Sequence, residues 1–129
     1  MAQVTIYGRD SVLPTYREKL SATIHACMID ALKITADKRF HRFIPLAPDN
    51  FFYPADRTEF YTVIEISMFA GRTDETKKYL LYQLMEKISA EIGISKQDIE
   101  ITLFETPPSH WGIRGKTGDE LMLNYPVNI

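Results

Sequence analysis

The feature that most constrains this chain is that its second half repeats its first. Residues 31–35 (ALKIT) match residues 91–95 (EIGIS) at an offset of 60 positions (91 − 31), and the pairs Leu20/Leu80 and Arg17/Lys77 keep that offset. Gly8-Arg9 and Gly71-Arg72 lie 63 apart (71 − 8), so the first copy holds three extra residues between its first strand and its helix. Each copy reads strand, Gly-Arg, helix, strand. A strand that returns to its own sheet through a helix makes a parallel pair with a right-handed crossover. Two such units predict an α+β fold, with duplicated β-α-β units forming a four-stranded mixed sheet and two helices on one face.

Hydrophobic periodicity places the elements. Val4 and Ile6 alternate with Thr5 and Tyr7, giving a strand at residues 2–7. Leu20, Ile24, Cys27, Met28 and Ala31 share one face of a helix over 14–32, with Pro14 in the first turn, where its missing N–H costs nothing. A second strand is expected over 39–46 with Phe40, Ile44 and Leu46 on one side, followed by a loop over 45–58 with three prolines. Residues 61–69 (YTVIEISMF) form the strongest strand signal. Thr73 suits the N-cap of the next helix, Asp74 and Glu75 favour its first turn, and Gly93 ends it after a stripe of Leu80, Leu81, Leu84, Ile88 and Ile92. The last strand, 98–104, sets Ile99, Ile101 and Leu103 against Glu100 and Thr102. The whole chain, 1–129, is expected to be one domain, with copies at about 2–46 and 61–104 and a tail over 105–129. Helices on one face leave the other face of the sheet uncovered. Val63, apolar on that side, points to a second subunit as its cover.

Composition narrows the function. Seventeen acidic against 15 basic residues give a net charge of −2, which argues against nucleic acid or a membrane surface as main partner, since both select a basic excess. No stretch approaches the ~18 apolar residues of a membrane span, and MAQVTIYGRD lacks the apolar core of a signal peptide, so a cytoplasmic protein is expected. A single cysteine, Cys27, excludes a disulfide framework and a multi-cysteine zinc site. His25, His41 and His110 show no metal spacing, and neither a phosphate loop nor HExxH occurs, so no cofactor or metal is expected.

The strand AQVTIYGR, the unit ISMFAGRTDETKKYLL and the segment DIEITLFETPPSHWGIRG together resemble the tautomerase superfamily, the proteins related to 4-oxalocrotonate tautomerase and macrophage migration inhibitory factor. The length, the duplication and the aromatic after the last strand look most like its malonate semialdehyde decarboxylase branch. The resemblance implies a homotrimer with three pockets, each at the start of a first strand, that take a small carboxylate-bearing molecule. Its members carry a proline where this chain has Ala2, exposed when Met1 is removed. An α-amino group titrates near 7.7–8.0 and is lowered further beside arginines, so it can act as a base near neutrality. Ala2 gives a primary amine without the proline ring that fixes the direction of the nitrogen.

Arg72 aligns with the arginine that the family uses to hold a substrate carboxylate, a task suited to the guanidinium fork. The residues alone also permit a solvated side chain at a strand end, or an ion pair with Asp74. The branch pairs this arginine with another two residues earlier, where Ala70 stands here. Trp111 aligns with a pocket tryptophan, or else plugs a subunit interface. Arg114 could restore the charge lost at Ala70, and Asp37 lies within one residue of an aspartate used near the bound carboxylate. Arg9 could face the pocket from the first copy, or be a remnant of duplication paired with an acid. Two functions are expected to compete: weak keto-enol tautomerase or related decarboxylase activity on a small 2-oxo or enol acid, and non-catalytic binding or assembly.

Overall fold

The two copies fold in series, with β1 (Ala2–Arg9), α1 (Leu13–Leu32) and β2 (His41–Leu46) followed by β3 (Thr62–Phe69), α2 (Asp74–Ile92) and β4 (Ile99–Thr106). The computed structural model describes residues 2–121 and 126–129. β1 pairs with β2, and β3 with β4, in parallel; the copies join through an antiparallel β1–β3 pair, giving the mixed order β2-β1-β3-β4. Because side chains alternate across a strand, Ala2, Val4 and Ile6 of β1 and Ile64, Ile66 and Met68 of β3 fall on one face. They form a single core with Leu20, Ile24 and Met28 of α1 and with Leu80, Leu84 and Ile88 of α2.

Local chemistry ends the helices. The Thr73 hydroxyl accepts from Thr76 N–H at 3.2 Å and caps α2, and Gly93 closes it with a left-handed φ of 88°. At the equivalent position 60 residues earlier, α1 is closed by Lys33 at φ 59°, a conformation that costs a residue with a Cβ.

β1 extends to Arg9, two residues beyond the alternating pattern, because the β2 ladder continues through Gly8↔Pro45 and Arg9↔Leu46. β2 begins at His41, and the Val4↔His41 register fixes its facing. His41 and Phe43 turn toward the helices, while Arg42 and Ile44 lie on the open side. The apolar residues expected together on this strand therefore mark the uncovered face, not the core. That face has a polar centre of Thr5, Glu65 and Thr102, with Ile44 and Phe104 exposed toward its two edges.

The loop between copies is tied to the far end of the sheet. Asp98, buried, accepts from Thr58 N–H at 2.8 Å and from the Thr58 hydroxyl at 2.6 Å. Phe51 stacks on Tyr61, whose hydroxyl donates to Glu100. After β4, a short hairpin of β5 (Gly112–Ile113) and β6 (Lys116–Thr117) follows Trp111.

Candidate functional site

Sheet topology, not sequence proximity, assembles the candidate residues. Ala2 sits opposite Met68 in the antiparallel β1–β3 pair, so the start of β1 and the end of β3 share one end of the sheet. β2 starts at that end, with Val4 N–H donating to Phe40 O, and β4 finishes there, with Phe69 opposite Thr106. Ala2, the Asp37 loop, Arg72 and Trp111 are thereby brought to one end. Arg9 is not: it closes the opposite end of β1 beside Asp10, at 4.0 Å, and seven residues of extended strand put it about 23 Å from Ala2.

Each of these residues is positioned by its neighbours. Ala2, 5% exposed, is held by the central β1–β3 ladder. Arg72 is only 4% exposed, between Gly71 and the N-cap of α2. A guanidinium so buried is not the solvated strand-end residue that one reading of the sequence allowed. Asp74 pairs with Lys77 at 3.2 Å. Trp111 is half-buried and meets Phe69, the last residue of β3, edge-on at 5.3 Å. Gly118 N–H donates to Trp111 O at 2.7 Å and fastens the hairpin there.

Asp37 is exposed, accepts from the Thr35 hydroxyl and lies 3.9 Å from Lys38. The Thr35 hydroxyl, with a smaller contribution from Lys38, holds its carboxyl below the ordinary aspartate value. Arg114 occupies the exposed hairpin turn at φ 50°. Arg42 was passed over in the sequence, where it reads as one polar residue of an alternating strand. The register sets it on the open face beside β1, donating to Thr5 Oγ1 at 3.3 Å and to Gln3 Oε1 at 3.5 Å.

The remaining reactive side chains have structural roles. His25 bonds Ala36 O and His41 bonds Ser21 Oγ, both at 2.8 Å, along the α1–β2 seam. Burial pushes the Cys27 thiol to about 11, leaving it protonated and inert near neutrality. Among the described residues no group of three or more His, Cys, Asp or Glu side chains could hold a metal ion. No helix among them is long and apolar enough to cross a membrane.

A family model described as "Tautomerase enzyme" (Tautomerase_2) matches residues 38–114, more than half of the chain. The chain belongs to the tautomerase family. The probable tautomerase YusQ of Bacillus subtilis is 29% identical over 116 residues, spanning 86% of this chain and 91% of that protein. Among solved structures, FG41 malonate semialdehyde decarboxylase inhibited by 3-bromopropiolate superposes with a TM-score of 0.71 at 26% identity, covering 84% of this chain and 86% of that one. The asymmetric trimer of the R7 fused 4-OT gives 0.79 at 21% identity over 91% and 96% of the two chains, a likeness of fold. Duplicated β-α-β units in a four-stranded mixed sheet are thus the architecture this chain shares with those structures.

Proposed function

We propose that the Ala2 end of the sheet binds a small 2-oxo or enol carboxylic acid, in a homotrimer of single-domain chains spanning 1–129, working in the cytoplasm without cofactor or metal. The observation that carries this reading is the convergence of Ala2, the Asp37 loop, Arg72 and Trp111 at one end of the sheet. In it, the Arg72 guanidinium takes the substrate carboxylate through two parallel N–H···O bonds, and Trp111 supplies an apolar wall. Arg114 of the hairpin and Asp37 add charge at the rim. Once Met1 is removed, the Ala2 amine abstracts a proton next to the carbonyl and returns it to the neighbouring oxygen or carbon. Turnover is slow, because a primary amine without the proline ring is less well aimed. Ala70, in place of a second arginine, favours keto-enol exchange over decarboxylation of a malonate-semialdehyde-like acid.

The open sheet face supports the trimer, since its exposed edge residues Ile44 and Phe104 gain from cover by neighbouring subunits. The test is ketonisation of phenylenolpyruvate by the untagged protein, its Ala2→Pro variant and its Arg72→Ala variant. Slow turnover that rises in Ala2→Pro and disappears in Arg72→Ala is the expected result. No turnover by the protein or by Ala2→Pro contradicts the catalytic reading. Ala2 together with Ala70 also favours a second reading, a tautomerase scaffold retained for binding alone. An intact mass that retains Met1 supports it, because the backbone nitrogen of Ala2 is then an amide.

A further inference from the structure

The last described residues return to the candidate site. Thr76 Oγ1 donates to Ile129 O at 2.7 Å, and Thr73 Oγ1 lies 2.8 Å from the same oxygen. Each hydroxyl has one proton, and Thr73 also has Thr76 Oγ1 at 3.1 Å as an acceptor, so the Thr76 bond is the undivided one. Two residues earlier, the tail presses on Gly71: a Cβ there would come within 2.8 Å of Val127 O. Gly71 adopts a φ of 134° and precedes Arg72, which is 4% exposed. Val127 is half-buried against the core, while Pro126 and Ile129 are exposed. The segment thus passes over the Gly71 backbone, next to Arg72 in sequence, and among the described residues it is fastened by Val127 and by two hydroxyls at the start of α2.

We infer that residues 126–129 form a strap, latched by Thr73 and Thr76 onto the N-terminus of α2, whose release controls access to Arg72. A short segment held at a helix end by side-chain hydroxyls opens locally without unfolding the sheet. Gly71 is the one residue type that lets the strap lie this close, since any side chain meets the Val127 carbonyl. As a device for the proposed carboxylate site, the strap rests on that reading for its purpose but not for its existence. Closed, it shields the guanidinium; open, it admits an anionic ligand.

The test is the rate of phenylglyoxal modification of Arg72 relative to exposed Arg114, mapped by peptide mass. It is run on the full chain, on Thr76→Val, which keeps the Thr73 cap, and on a chain shortened by residues 126–129. Arg72 is expected to react at least tenfold more slowly than Arg114 in the full chain. It should speed at least fivefold in Thr76→Val and approach Arg114 in the shortened chain, with the urea midpoint of Thr76→Val close to that of the parent. Equal protection of Arg72 in the full chain and in a folded Thr76→Val overturns the strap, whether or not the shortened chain folds. Because labelling needs no substrate, faster labelling with carboxylate binding unchanged by Arg72→Ala keeps the strap and rejects the binding site.

Discussion

Acid should loosen this fold through His41, the first residue of β2. His41 begins β2 with its ring against α1, bonded to Ser21 and in edge contact with His25 at 5.8 Å. Burial, then the His25 ring and Arg39, lower it from 6.5 to about 4. Arg17 and Glu18 of α1 line the same cleft with opposite charges, so Arg39 is the uncancelled cation facing the ring there. In the unfolded chain the ring titrates near its ordinary value. Between pH 6.5 and 4 the unfolded state therefore binds more protons than the native state, and stability falls as pH falls. The contribution is fully present above about pH 6.5 and lost below about 4. At about 1.4 kcal/mol per pH unit the full difference is about 3 kcal/mol. Partial exposure of the ring reduces this to about 2 kcal/mol.

Urea midpoints at pH 7.5, 5.5 and 4.5, at one protein concentration, read the effect. The same series on His41→Phe should start lower at pH 7.5 by about 1 kcal/mol, for the lost Ser21 bond, and then decline much less. Glu86 and Glu100, held below their ordinary values by Lys96 and by Tyr61 with Arg57, contribute below about pH 4.5 and leave the upper window to His41. A His41→Phe series as steep as the parent, or a parent flat between pH 7.5 and 4.5, refutes the reasoning.

Three further outcomes follow from particular contacts. Lys33→Gly should stabilise the chain by about 0.5–1 kcal/mol, because it relieves a left-handed helix end that the second copy already fills with Gly93; an unchanged thermal midpoint counts against this. Gly118→Ala should cost about 1–3 kcal/mol and red-shift Trp111 emission, since a Cβ there meets Pro108 O at 2.6 Å and the Phe69 ring at 2.7 Å; unaltered emission contradicts the packing described. Asp98→Ala should cost about 1–3 kcal/mol and raise amide exchange at Thr58, whose N–H and hydroxyl it leaves unmet, whereas unchanged exchange at Thr58 refutes the anchor.

The repeat made the fold legible. The 60-residue offset and the alternation in β1 and β3 give the crossover units, the buried faces and even the matched helix ends at Lys33 and Gly93. The facing of β2 was not legible, because the sequence put Phe40, Ile44 and Leu46 on one side without saying which, and only the register with Val4 turns His41 and Phe43 inward. An edge strand that awaits a neighbour can be apolar on its outer side, so its pattern cannot tell core from interface. For the site, the Gly-Arg pairs look equivalent in sequence, yet antiparallel pairing of the copies sends Arg9 and Arg72 to opposite ends of the sheet relative to Ala2. Arg42, the loop anchored by Asp98 and the contact of Ile129 with Thr73 and Thr76 depend on pairings of residues 37–56 positions apart, for which no local pattern exists.

The central claim is that Arg72 holds a carboxylate at the Ala2 end of the sheet. Trp111, the only tryptophan, packs on Phe69 at that end and reports on it directly. The most direct measurement is therefore quenching of Trp111 emission during titration with a small 2-oxo acid such as 2-oxobutanoate, in the parent and in Arg72→Ala, with calorimetry in parallel. The account predicts saturable quenching in the parent and a loss of affinity of about tenfold or more in Arg72→Ala, the scale of one charge-assisted bidentate pair. Equal affinity in the two proteins would contradict it.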